Sequence, residues 1–104
     1  MKKQYNKLVR DGVPQIIIES GRQCKTRTLS DQEYKEALLT KIVEEVEEFR
    51  TSNSEEELAD IYEVLDSLIE FLQYEPMHID YLKMKKKENR GSFKDRIFLE
   101  DVVE

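Results

Sequence analysis

The segment from Lys41 to Leu65, KIVEEVEEFRTSNSEEELADIYEVL, limits the possible folds more than any other part of the chain. On both sides of Thr-Ser-Asn-Ser its apolar residues recur every three to four positions, the spacing of one face of an α-helix. The tetrapeptide itself is rich in turn-forming residues. The segment therefore predicts two helices joined by a short turn.

Start and stop signals for helices recur along the rest of the chain. Pro14 suits the first turn of a short helix that Gly21 can close. Ser30 and Glu33 have the spacing of a capping box at the start of the second helix. Pro76 can restart the chain into a fourth helix, MHIDYLKMKKKEN, which Gly91 stops. The predicted helices cover residues 13–20, about 30–50, from 54 or 55 to 73 or 74, and 77–89.

Few residues in the chain favour turns or sheets. Three glycines and two prolines among 104 residues, with abundant Leu, Glu and Lys, favour helices over a sandwich or barrel. The segment SFKDRIFLEDVV alternates apolar and polar residues around Ile97 and Leu99, which predicts a short strand near the C-terminus. We expect an all-α protein, an antiparallel helical bundle of four main helices, in a single domain over residues 1–104.

The composition also bears on partners and compartment. A formal net charge of -6 argues against a nucleic-acid polymer as partner, whereas a small phosphorylated substrate stays compatible because bound cations can reverse the local field. Cys24 is the only cysteine, which fits a reducing cytoplasm. No apolar run approaches the roughly 18 residues that span a bilayer, and no signal-peptide core follows MKKQYNKLVR. A cytoplasmic protein without membrane contact is expected.

Four carboxylates lie in or beside the apolar faces of the two central helices. With an advance of about 100° per residue, Glu45 falls inside the apolar stripe of the second helix and Glu48 on its border. On the third helix, Glu57 falls inside the apolar arc and Asp60 on its edge. Each helix therefore sends two carboxylates, three residues apart, towards the seam between the helices.

Four carboxylates in a partly dry seam cannot all stay ionised unaided, because like charges and loss of water both raise their pKa values. A hard divalent cation would relieve both penalties. Oxygen ligands without His or Cys suit Mg²⁺ or Mn²⁺ rather than zinc. Because Mg²⁺ held by carboxylates keeps positions open for water and phosphate, the pattern predicts a metal that holds a phosphate group.

A structural explanation accounts for the same glutamates. Glutamate is a strong helix former, and many glutamates on helices are simply solvated. Ser54 and Glu57 have the spacing of a capping box, in which Glu57 would only reach back to its cap. Asn53 could instead cap the helix with Glu56, which would leave Glu57 free. The corresponding function is a non-enzymatic acidic helical module that binds a partner helix or a structural cation.

The acidic residues also match a family motif. EEVEE followed by ELAD resembles the EExxE…ExxD signature of the MazG-like all-α nucleoside triphosphate pyrophosphohydrolases. The segments YNKLVRDGVPQIIIESG and KKKENRGSFKDRIFLE resemble the standalone branch of that superfamily, often labelled phosphoribosyl-ATP pyrophosphohydrolase-like. The turn RTSNS is shorter than in many members of the superfamily.

The resemblance implies a Mg²⁺-dependent enzyme that hydrolyses the α–β phosphoanhydride of a nucleotide to a monophosphate and pyrophosphate. It implies Glu44 and Glu45 as catalytic residues, with Glu44 orienting a ligand or accepting a proton from the attacking water. The metal ligands that it implies are Glu45, Glu48, Glu57 and Asp60. The substrate would be a non-standard nucleotide removed in a house-cleaning role, or alternatively phosphoribosyl-ATP.

Four basic residues are candidates for contact with the substrate. Lys7 and Arg10 lie in a predicted loop, and because loops carry a disproportionate share of functional residues, these two are candidates for contact with the substrate or with a second subunit. Lys87 and Arg90 match the closing segment of the family branch, although a solvated basic face near a helix C-terminus is the simpler explanation. Because active sites in the family are assembled with a second subunit, we expect a homodimer or a higher homo-oligomer.

Overall fold

A computed structural model of the chain describes residues 2–103. The protein is all-α, as predicted, with helices α1 (Val13–Glu19), α2 (Asp31–Ser52), α3 (Glu55–Phe71) and α4 (Pro76–Arg90). The short strand predicted around Ile97 and Leu99 is wrong. Residues 96–103 have no regular structure, and no other strand within residues 2–103 could pair with them.

The predicted capping box at the start of α2 is confirmed. The Glu33 backbone N–H donates to Ser30 Oγ at 3.3 Å, and the Ser30 backbone N–H donates to Glu33 Oε1 at 3.1 Å. Arg27 adds a salt bridge of 3.0 Å to the same glutamate. The capping box satisfies the backbone N–H groups of Ser30 and Glu33 and fixes where the longest helix begins.

Only Asn53 and Ser54 separate α2 from α3. Asn53 takes the left-handed conformation with φ of 53°, and its backbone N–H donates to the Phe49 carbonyl, so it ends α2 rather than capping α3. Ser54 is the cap of α3, because its side chain accepts the Glu57 backbone N–H at 3.2 Å. The two-residue connection forces the chain to reverse direction.

The helices α2 and α3 pack against each other as an antiparallel hairpin. Near their outer ends, the rings of Tyr34 and Phe71 meet edge to face with centroids 5.3 Å apart. Leu38 and Val64 are the buried hydrophobic residues among those described. The helix α3 ends at Phe71, earlier than predicted, because Gln73 has a positive φ of 60° that a helix cannot contain. The packed interior of the hairpin is therefore small.

The chain divides into two compact units, one ending at Leu72 and the other beginning at Gln73. In the second unit Pro76 opens α4 and Gly91, with a positive φ of 84°, ends it, as predicted. No helix within residues 2–103 is long and apolar enough to cross a membrane. The single domain expected over residues 1–104 stays a prediction.

Candidate metal centre

The hairpin brings three of the four predicted metal ligands together. Glu45 comes from α2, and Glu57 and Asp60 come from the first two turns of α3. One carboxylate oxygen from each lies within 4.8 Å of the corresponding oxygens of the other two, and we call these three residues the acidic cluster. The short turn accounts for the convergence, because it places the last part of α2 beside the first part of α3.

Glu45 is the most deeply placed member of the acidic cluster. The residue is only 5% exposed, and its Oε2 atom is inaccessible to solvent and has no hydrogen-bond partner. The Oε2 atom of Glu57 is likewise inaccessible and unpartnered. Buried carboxylate oxygens without a donor are costly, so this arrangement requires either a proton or a cation between the two groups.

The pKa of Glu57 reflects the same need for a proton or a cation. A hydrogen bond to the Glu45 carboxylate that only a protonated Glu57 can donate, together with burial and the charges of Glu48 and Glu45, raises the pKa of Glu57 from 4.5 to about 7. With both groups ionised, neither oxygen can donate; a proton on Glu57 supplies the missing donor. The Glu57 side chain does not complete a capping box with Ser54, so it is free to face Glu45.

The remaining predicted acidic residues lie around the cluster. Glu48 is exposed and is not one of the three converging carboxylates, although its charge contributes to the raised pKa of Glu57. Glu44 is partly exposed and forms a salt bridge of 3.4 Å with Lys41. The metal-ligand role of Glu48 and the catalytic role of Glu44 stay predictions.

Lys41 is a member of the site that the sequence analysis missed. Its Nζ atom lies 3.3 Å from Glu45 Oε1 and 3.4 Å from Glu44 Oε2, and its side chain is 16% exposed. The signal for this contact is in the sequence, because Lys41 precedes Glu44 and Glu45 by three and four residues, the spacings at which helical side chains meet. Lys41 therefore contacts one oxygen of Glu45, Oε1, whereas the other, Oε2, has no hydrogen-bond partner.

Arg10, predicted as a substrate contact, lies beside the acidic cluster. Its Nη2 atom donates to Asp60 Oδ1 at 2.7 Å, which raises the pKa of the Arg10 guanidinium above its ordinary value. The Val13 backbone N–H donates to the Arg10 carbonyl at 3.0 Å and so ties this residue to the start of α1. The N-terminal segment thus brings a cation to the edge of the site.

The other predicted basic contacts belong to both units: Lys7 to the first, and Lys87 and Arg90 to the second. Lys7 is exposed, with its Nζ atom 5.7 Å from the centre of the Tyr5 ring. Lys87 and Arg90 are exposed residues in the last turn of α4, within the second unit. Their role in substrate binding stays a prediction.

The donor set fits a hard divalent cation. All three converging ligands are carboxylate oxygens, which suits Mg²⁺ or Mn²⁺. The unpartnered Oε2 atoms of Glu45 and Glu57 are the atoms that such a cation would satisfy.

Comparison with known proteins shows a similarity over part of the chain. The chain is 51% identical over 47 residues to a protein of Mycolicibacterium smegmatis described as uncharacterized. The match covers 45% of this chain and 48% of that protein, so the chain spans about half the length of this relative. No protein-family model and no solved structure matches the chain.

Proposed function

We propose that the chain is a Mg²⁺-dependent nucleoside triphosphate pyrophosphohydrolase that cleaves the α–β phosphoanhydride to a nucleoside monophosphate and pyrophosphate. The observation that carries this proposal is the pair of inaccessible, unpartnered oxygens of Glu45 and Glu57 inside an all-oxygen cluster. A metal site of this composition binds substrates through phosphate oxygens. The acidic motif resembles that of MazG-like enzymes, which supplies the reaction class.

In this proposal the metal ligands and the residue that orients one of them all lie on the hairpin. Glu45, Glu57 and Asp60 would hold the metal, with the exposed Glu48 as a fourth ligand. Bound there, Mg²⁺ would supply polarisation of the phosphate, neutralisation of developing charge and a lower pKa for the attacking water. Lys41 keeps the Glu45 carboxylate in one orientation through its contact with Oε1.

Residues outside the acidic cluster would transfer the proton and bind the substrate. Glu44, which is partly exposed, orients a ligand or accepts the proton of the attacking water. Arg10, together with Lys7, Lys87 and Arg90, binds substrate phosphates, for which guanidinium and ammonium groups are suited. We propose non-standard nucleotides as substrates, in a house-cleaning role within the cytoplasm. Hydrolysis of phosphoribosyl-ATP would use the same chemistry.

We also propose that the protein acts as a homodimer or higher homo-oligomer. Two apolar stripes on the hairpin remain exposed to solvent, each with members at positions i, i+4 and i+7. On α2 the stripe consists of Leu39, Val43 and Val46, and on α3 it consists of Leu58, Tyr62 and Leu65. Exposed apolar rows of this kind are suited to pack against helices of a second copy.

A non-enzymatic acidic module is the competing function. The salt bridges of Lys41 and Arg10 favour it, because they already neutralise part of the cluster. It predicts that replacement of Glu45 by a hydrophobic residue stabilises the fold with no loss of turnover. The unpartnered Glu45 Oε2 argues for the metal-dependent enzyme, since a self-sufficient structural cluster would satisfy this atom.

The proposal is tested by incubating the protein with standard and non-standard nucleoside triphosphates and with phosphoribosyl-ATP, in Mg²⁺ and in EDTA. Phosphorus NMR of the products identifies the bond that is cleaved. We expect monophosphate and pyrophosphate, formed only with Mg²⁺. Release of a nucleoside diphosphate and inorganic phosphate would contradict cleavage of the α–β phosphoanhydride. No hydrolysis of any substrate would favour the acidic module.

A further inference from the structure

Two cations contact the acidic cluster, and they are held differently. Lys41 lies on the same helix as Glu45, four residues before it, and its side chain is largely covered. Arg10 reaches Asp60 from a segment 50 residues away in sequence, and 59% of its side chain is exposed. An exposed guanidinium regains water when it leaves its partner, so separating Arg10 from Asp60 costs little.

The position of Arg10 conflicts with metal binding at the same carboxylate. Arg10 Nη2 donates to Asp60 Oδ1 at 2.7 Å, and Asp60 is a member of the acidic cluster. A guanidinium and a divalent cation repel each other when one carboxylate holds both. A second observation leaves a place for a cation in the cluster: Glu45 is only 5% exposed and its Oε2 atom has no partner, so this atom needs either a proton or a cation.

We propose that Arg10 and a divalent cation compete for Asp60, and that metal binding frees the Arg10 guanidinium to bind a phosphate group of the substrate. This inference rests on the proposed metal site. A phosphate group carries enough negative charge to contact both the metal and a guanidinium, which binds it in bidentate fashion. Arg10 therefore weakens the binding of the metal alone and strengthens the binding of nucleotide to the metal-loaded protein.

The first test measures Mn²⁺ binding without nucleotide, from the electron paramagnetic resonance signal of free Mn²⁺. The proteins are the wild type, Arg10→Gln and the control Arg27→Gln, which removes an exposed arginine paired with Glu33 outside the cluster. We expect Arg10→Gln to bind Mn²⁺ roughly two- to fivefold more tightly than the wild type, the range set by an exposed ion pair. Arg27→Gln should bind like the wild type.

The second test uses saturating Mn²⁺ and ATP with a methylene bridge between the α and β phosphates, with binding followed by calorimetry. Arg10→Gln should bind this analogue about tenfold more weakly than the wild type, because it loses one charged hydrogen bond. Arg27→Gln should bind it like the wild type. Tighter binding of Mn²⁺ together with weaker binding of the nucleotide analogue distinguishes the proposed role from a structural one. If Arg10 only supported the fold, its replacement would weaken the binding of both ligands. Circular dichroism verifies that Arg10→Gln is folded.

Each other outcome contradicts a defined part of the account. If the wild type binds Mn²⁺ and Arg10→Gln binds it equally or more weakly, the competition is wrong and the metal site stands. Unchanged binding of the nucleotide analogue by Arg10→Gln would also overturn the inference. If neither protein binds Mn²⁺, the proposed metal-dependent function fails together with the inference.

Discussion

Glu45 on α2 and Glu57 on α3 face each other across the hairpin, each with an Oε2 atom that is inaccessible to solvent and lacks a hydrogen-bond partner. Two carboxylates in this relationship need a positive charge or a proton between them. In the proposed metal site a divalent cation would take the place of this proton, and the two would compete. The proposal therefore predicts measurable dependences on pH and on metal.

The metal-free protein should lose stability as the pH rises from about 4.5 to about 7. The pKa of Glu57 is raised from 4.5 to about 7 in the folded protein, so folding favours its protonated form. The resulting stabilisation is fully present below pH 4.5, the pKa of Glu57 in the unfolded chain. It is lost as the pH rises through about 7, the pKa of Glu57 in the folded protein. Thermal denaturation in EDTA across this range measures the effect. The decline should be shallower in Glu57→Gln than in the wild type or Glu70→Gln, and identical slopes would contradict the assignment.

Metal binding should weaken at acid pH. A divalent cation must displace the proton of Glu57, whose pKa of about 7 leaves this group mostly protonated near pH 6 and mostly ionised near pH 8. We expect the affinity for Mn²⁺ to be about tenfold lower at pH 6 than at pH 8, as measured by calorimetry. Glu57→Gln should bind more weakly with a flatter pH dependence. Equal wild-type affinity at both pH values would show that the metal does not use Glu57.

Removal of Lys41 should destabilise the metal-free protein. Lys41→Met leaves the buried Glu45 carboxylate without its cation, at a cost of about 1–3 kcal/mol. Lys35→Met, at an exposed position of the same helix, provides the matched control. Urea denaturation in EDTA and in Mg²⁺ measures the free energy of unfolding, and Mg²⁺ should recover part of the loss. Equal stability of both variants in EDTA would mean that the Lys41 contact contributes nothing.

The exposed stripes of the hairpin should mediate self-association. Val43 and Tyr62 are both 62% exposed, and an aspartate at either position would place a charge in the proposed helix–helix contact. Light scattering should give at least twice the chain mass of 12.4 kDa for the wild type and a single chain for Val43→Asp or Tyr62→Asp. Met77→Asp changes an exposed apolar residue of α4 and should leave the mass unchanged. A monomeric wild type would exclude the oligomer.

Much of the fold could be predicted because its signals are local. The capping box of Ser30 and Glu33 and the glycine at position 91 act within a few residues, so the sequence closely locates the start of α2 and the end of α4. The early end of α3 was missed because Gln73, rather than a glycine, adopts the positive φ. The strand around Ile97 failed for a different reason, since alternation without a partner strand does not make a sheet.

Helical geometry and the short turn were enough to predict the part of the site that lies on α2 and α3. Glu45, Glu57 and Asp60 converge because both helices present them to the seam and the turn is short. The pairing of Arg10 with Asp60 joins residues 50 positions apart, and no local pattern encodes it. Tertiary contacts of this kind require the structure.

The most direct test of the proposed enzyme is the rate of pyrophosphate release from its best nucleotide substrate in saturating Mg²⁺, compared among the wild type, Glu45→Gln and Glu70→Gln. Glu45→Gln keeps the size of the side chain but removes the buried charge that would bind the metal. We predict a loss of at least about a hundredfold in Glu45→Gln and a wild-type rate in Glu70→Gln, an exposed glutamate of α3. A folded Glu45→Gln protein with the wild-type rate would contradict the assignment of the acidic cluster as the catalytic metal site.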